Sequence, residues 1–162
     1  MFCQFSAAVV LTVFTAPALG GGPVPRGETP QQASKTSLVD LVQTQLNLPG
    51  KVKIGKKFQV RDELENTGEY LAPLSVTHFY LSLDDTYDSA DLLVGGRRVP
   101  PLTPTQGSSA MSPVVLNEGV KPGVYYLIAV ADGPREIEER YETNNTRAVK
   151  VTVQPADPEK KK

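Results

Sequence analysis

Residues 57–65 read KFQVRDELE. Phe58, Val60 and Leu64 alternate with Gln59, Arg61, Glu63 and Glu65. A period of two is that of a β-strand with one face buried and the other in water. One residue breaks the pattern. Asp62 falls on the inward phase, between Val60 and Leu64. A buried unpaired carboxylate is costly, so either Asp62 has a partner or a bulge turns it outward.

The same grammar continues on both sides. Short apolar runs are separated by clusters of Pro, Gly, Asn and Asp, the spacing of an all-β sandwich. Seven strands are predicted: Leu38 to Gln45, Lys57 to Glu65, Val76 to Leu83, Leu92 to Val99, Ser109 to Leu116, Gly123 to Ala131 and Arg147 to Gln154. In the last, Val149, Val151 and Val153 alternate with Ala148, Lys150 and Thr152. The sixth, with VYYLIAVA at its heart, is apolar on both faces and is expected to be central, paired on both sides. Tyr126, in phase with Ile128 and Val130, is expected to bury its ring and tie its hydroxyl to the preceding corner. The one departure from β pattern is a single helical turn expected near Glu136 to Arg140.

The flanks differ. Phe5 to Leu19 is an uncharged apolar run, too short and interrupted to span a bilayer well. Ala18 and Gly20 supply small residues for a signal peptidase, so residues 1–20 read as a secretory signal, although MFCQFS carries no Lys or Arg. Export follows, to a secreted, periplasmic or cell-surface location, with no stable membrane span after cleavage. Residues 21–36 (GGPVPRGETPQQASKT) read as a flexible linker, residues 37–154 as the sandwich, and residues 155–162 (PADPEKKK) as a disordered, solvated tail.

Composition narrows the function. The 162 residues carry a formal net charge of −1, against a nucleic-acid partner, which needs clustered positive charge. The chain has one cysteine, Cys3, within the expected signal, and one histidine, His78. That leaves a mature chain without disulfide, thiolate metal site or cysteine nucleophile. His78 has no serine elbow or second histidine at a metal-binding spacing. If Phe79 and Leu81 face the core, His78 and Tyr80 face out.

The densest local chemistry is acidic. Asp84, Asp85, Asp88 and Asp91 lie within eight residues, after the third predicted strand. Oxygen-rich loops of this kind can hold calcium, which makes Asp84, Asp88 and Asp91 the candidate metal ligands. Ser89 and Gly95 stand where an EF-hand needs its glycine and bidentate glutamate, so the loop is not an EF-hand. The competing reading is that these aspartates cap turns through backbone amides. Lys51, Lys53 and Lys56 are expected to neighbour the aspartates and neutralise them. Glu136, Glu138, Glu139 and Glu142 form a second acidic loop, expected at the opposite end as a solvated surface pinned by Ile137 or Tyr141. Arg97 and Arg98 read as charge on an edge strand, or as a small anion or peptide contact. Asn144 opens a glycosylation sequon, but Asn144 and Asn145 read first as turn residues.

Taken together, four pieces of the chain resemble the CARDB family, the cell-adhesion-related domain found in bacteria. They are Phe79-Tyr80-Leu81-Ser82, the spacing of Asp84, Asp88 and Asp91, Gly123-x-Tyr125-Tyr126-Leu127, and Glu142-Thr143-Asn144-Asn145. The resemblance runs from about Leu38 to Val153. It implies an immunoglobulin-like antiparallel β-sandwich of about seven strands, of a kind often found in tandem on exported prokaryotic proteins, with an adhesive role. This chain holds one copy, so avidity from repeats within it is unavailable. Asp62 departs from the family pattern, which favours an apolar or aromatic residue there. The expected function is therefore an exported, non-catalytic module that contacts a protein or surface polymer. Its alternatives are a structural spacer, an accessory subunit docking by strand addition, and a small carboxylate-dependent hydrolase.

Overall fold

The computed structural model describes residues 39–158. The expected signal, the linker and the last four residues lie outside them. Eight strands form: β1 (Leu41–Asn47), β2 (Lys51–Lys53), β3 (Lys57–Asn66), β4 (Ser75–Ser82), β5 (Leu92–Val99), β6 (Gly107–Val115), β7 (Gly123–Val130) and β8 (Thr146–Gln154). Seven match the predicted runs to within a few residues, and β5 matches to the residue. β2 is additional. It is three residues long and pairs in parallel with the end of β8, so no local period announces it. The helical turn expected near Glu136 to Arg140 does not form, and the turn there covers residues 131–134 instead.

The strands make two sheets, ordered β1-β3-β6 and β2-β8-β7-β4-β5. β7 is central, antiparallel to β4 on one side and β8 on the other. Its last four residues, Leu127 to Val130, are all buried. Alternation aims one face of each sheet at the other. Val60, Phe79, Leu81, Val114, Leu127 and Val151 meet in the larger apolar cluster. Leu41, Leu64, Ala72, Val99, Leu102 and Ala131 form a second.

A polar layer separates the two clusters. Asp62 on β3 is fully buried, and Arg97 on β5 reaches across to it from the facing sheet. Gln43 on β1 donates its amide to the Thr77 hydroxyl on β4, 3.4 Å away and also buried. Asp62 therefore keeps its inward phase and takes a partner. Arg97 is not the edge charge expected of it. Its pairing partner on β4 is Thr77, an inward residue, and that register turns the guanidinium into the sandwich. Arg98 is the exposed member of the pair.

The tyrosine expectation also shifts by one. Tyr125, not Tyr126, packs against the large cluster and donates its hydroxyl to the Lys121 carbonyl at 3.0 Å. Tyr126 lies on the outer face, with the Lys150 ammonium 5.8 Å from its ring centre. Because β7 is apolar on both faces, its composition does not say which phase is inward.

Candidate functional site

Register sorts the loops into two ends. Ser82 at the end of β4 pairs with Tyr126 near the start of β7, and Leu81 pairs with Leu92 at the start of β5. The β4–β5 loop therefore leaves the sandwich beside the β6–β7 loop. Val130 at the end of β7 pairs with Thr146, which puts the β7–β8 loop at the opposite end, as expected.

At the first end the aspartates act on their own loop. Asp84 Oδ1 accepts the Thr86 N–H at 2.9 Å, Asp88 Oδ1 accepts the Ala90 N–H at 2.7 Å, and Asp91 Oδ2 accepts the Asp88 N–H at 3.0 Å. These are turn caps of the kind short acidic side chains supply. Asp84, Asp85 and Asp88 are exposed and Asp91 half-buried. Among the described residues, no group of three or more His, Cys, Asp or Glu side chains is arranged to hold a metal ion.

The lysines expected beside this loop are elsewhere. β2 is the outermost strand next to β8, three strand positions from β4, or about 14 Å at ordinary strand spacing. Lys53 and Lys56 pair instead with Asp157 after β8. Hydrogen bonding and charge from Lys53, then Lys56, hold the Asp157 carboxyl below the usual carboxylate range. Lys121 lies in the β6–β7 loop, which leaves the sandwich at the same end as the aspartates.

Two depressions open between these loops. One, of about 220 Å³, is lined by Leu81 to Asp84 together with Asp88 and Ala90 to Leu92. The other, of about 280 Å³, is lined by Leu81, Leu92, Gly119, Val120, Lys121 and Tyr125. Leu81 and Leu92 line both, so the groove is a pair of adjoining depressions with these two leucines shared between them. Leu83 stands at its lip, 79% exposed. Sequence reasoning missed this groove. Its signal was Leu83 and Leu92, apolar residues bracketing the acidic loop.

At the opposite end Glu136, Glu138 and Glu142 are exposed, as expected of a solvated loop, and Glu139 is the exception. Glu139 is 6% exposed. Its carboxylate accepts the Leu41 N–H and, at 3.0 Å, the Asn145 amide. Burial, opposed by the Leu41 hydrogen bond and reinforced by Glu142, Asp132 and Asp40, pushes the Glu139 carboxyl up to about 7. Asp40 is buried too, receiving Asn144 at 2.9 Å and Thr67 at 2.8 Å. Asn144 is thus committed to the fold as a turn partner, while Ile137 packs against the smaller core cluster and Tyr141 stays 58% exposed.

His78 and Tyr80 do point away from the core, onto the outer face of the five-stranded sheet. His78 Nδ1 lies 3.2 Å from the Tyr80 hydroxyl, and the Tyr80 and Tyr87 rings are 4.6 Å apart. Burial, with the neighbouring Tyr87 phenol, pushes the Tyr80 hydroxyl up to about 12. Gly133 covers the His78 ring so closely that a Cβ there would fall 2.4 Å from it. His78 is packed structure on this face.

Two facing antiparallel-dominated sheets, a tyrosine corner and loops gathered at the two ends define an immunoglobulin-like β-sandwich domain. The CARDB family model matches residues 38–149, and the chain belongs to that family. Among solved structures, the crystal structure of a CARDB domain from Pyrococcus furiosus, in complex with di-metal ions, is similar with a TM-score of 0.56 and 19% identity. It covers 74% of this chain and 96% of that one. The solution structure of the same archaeal domain gives 0.55 and 19%, over 72% and 95%. A β-glucosidase from Listeria innocua in complex with glucose gives 0.49 and 14%, over 73% of this chain and 16% of that enzyme. No curated protein gives a significant match.

Proposed function

We propose that this chain is an exported, non-catalytic interaction module, a rigid sandwich that presents loops to a protein or a surface polymer. One observation carries the reading. The β4–β5 end of the sandwich exposes Leu83 and Leu92 around a preformed groove. Apolar side chains gathered in that way mark contact surfaces. The hydrolase alternative needs a desolvated carboxylate in a cleft, and of the groove's carboxylates Asp84 and Asp88 are exposed and Asp91 half-buried. The test is immobilisation of the folded domain and measurement of its binding to cell-envelope polymers and envelope proteins. Saturable binding lost in Leu83→Ser supports the reading. Glycoside or ester hydrolysis by the pure protein, abolished in Asp88→Asn, would replace it with the hydrolase.

A second reading keeps Asp84, Asp88 and Asp91 as calcium ligands. It is supported by their sharing one depression and by the di-metal complex of the archaeal CARDB domain. Binding there exchanges turn caps for an ion, with the free carboxylate oxygens as ligands.

A further inference from the structure

We infer that the groove at the β4–β5 end is the docking site for a peptide segment of a partner protein. That segment carries one large apolar side chain with lysine or arginine on one side of it. The inference rests on the interaction-module reading and names its partner.

Size gives the first argument. The two depressions hold about 220 and 280 Å³. Pockets for whole small molecules run from roughly 300 to 1,000 Å³, so each depression fits a single side chain. The floor is formed by Leu81, Leu92, Val120 and Tyr125, all packed against or within the large core cluster except Leu92. It is therefore held by the sandwich, which keeps the ordering cost of binding low. Leu83 at the lip extends the apolar surface a docked side chain would cover.

Charge gives the second. Asp84, Asp88 and Asp91 rim one side of the groove, with Asp85 beside them exposed. Their hydrogen bonds within the loop are to backbone N–H groups, which leaves each carboxylate charge uncompensated by a cation in those contacts. Lys121 stands on the other side. The groove thus has an acidic flank and a basic flank, and it orders an occupant. The cationic residues belong on the aspartate side of the anchor, and a second cationic group toward Lys121 is repelled. Rim charges of this kind set orientation and on-rate more than affinity.

The test uses isotope-labelled protein and two capped synthetic peptides. One carries a phenylalanine followed by three lysines, the other the same phenylalanine followed by three glutamates. Saturable shifts of the Leu81, Leu92 and Val120 methyl signals with the lysine peptide are expected, and weaker shifts or none with the glutamate peptide. Exchanging all three rim aspartates (Asp84→Asn, Asp88→Asn, Asp91→Asn) keeps the caps, because asparagine also accepts the loop N–H groups. It is expected to weaken the lysine peptide roughly tenfold, as loss of a few exposed charge contacts does. Equal affinity for both peptides, or no methyl shifts with either, overturns the inference. Envelope polymers run on the same labelled protein separate the two ideas. Polymer binding without peptide binding sinks the peptide and leaves the interaction module standing.

Discussion

Arg97 Nε donates to both carboxylate oxygens of Asp62, at 2.8 and 2.9 Å, from the opposite sheet of the sandwich. The rest of the guanidinium is used as well. Nη1 reaches the Ser108 hydroxyl at 3.0 Å and Nη2 the Ser108 carbonyl at 2.9 Å. One side chain on β5 therefore ties β3 and β6 in the facing sheet. The Asp62 side chain is fully buried and that of Arg97 is 8% exposed.

A buried pair is costly to break and cheap to replace, because each ion alone carries an unrecovered desolvation penalty. Arg97→Leu is expected to destabilise the domain by about 3 to 5 kcal/mol, the range for removing one member of such a pair. Asp62→Leu with Arg97→Leu is expected to recover much of that. Urea denaturation of the three proteins checks it. A single Arg97→Leu variant as stable as the parent would show that Asp62 is not held by this contact.

The tyrosine pair offers a finer comparison. Tyr125→Phe removes the hydroxyl that joins Lys121 to the start of β7 and is expected to lower stability by about 0.5 to 1.5 kcal/mol. Tyr126→Phe, whose ring lies outside over Lys150, is expected to leave the unfolding midpoint nearly unchanged. The reverse ranking would return the corner to Tyr126.

These two sites show what a sequence discloses and what it withholds. Alternation along KFQVRDELE placed Asp62 inward, and the structure keeps it there. Nothing local connects it to Arg97, 35 residues away, because pairing across facing sheets follows from strand order and not from period. The same limit hid β2, whose three residues are strand only through β8. It also displaced the lysines from the aspartates, since the expected neighbourhood assumed a loop arrangement that the β2–β8 pairing alters. In β7, apolar residues on both faces left the inward phase open, and Tyr125 took the place expected of Tyr126. Glu139 looked like one solvated acid among four, and only the packing of β1 against its loop buries it. The aspartate loop was legible because its hydrogen bonds close within a few residues.

That locality makes the aspartates separable by experiment. With a chelator present, Asp88→Ala removes the acceptor for the Ala90 N–H and is expected to cost about 0.5 to 1 kcal/mol, a few degrees or less of melting midpoint. Asp88→Asn is expected to cost less. Adding calcium to the parent then decides between readings. A rise in midpoint that Asp88→Ala abolishes makes the loop an ion site, and an unmoved midpoint leaves it as turn caps on the rim of the groove.

The buried acid at the other end makes the domain's stability fall with rising pH. Glu139 titrates near 7 in the folded chain against an ordinary value of 4.5. Below the lower value both folded and unfolded chains hold the proton. Between the two, the folded chain keeps a proton that the unfolded chain has lost, so stability decreases as pH rises through this window. Above about 7 both are ionised and the loss is complete. At about 1.4 kcal/mol per pH unit, the loss is on the order of 1 to 3 kcal/mol between pH 5 and pH 8. Glu139→Gln is expected to flatten this slope. Its carbonyl can still accept the Leu41 N–H, and its amide can meet the Asn145 Oδ1, which has no partner among the described residues. Urea midpoints at pH 5 and pH 8 for parent and variant measure the effect. An equally steep slope in Glu139→Gln would assign the dependence to another group, with Asp40, Asp132 and Glu142 the next to replace.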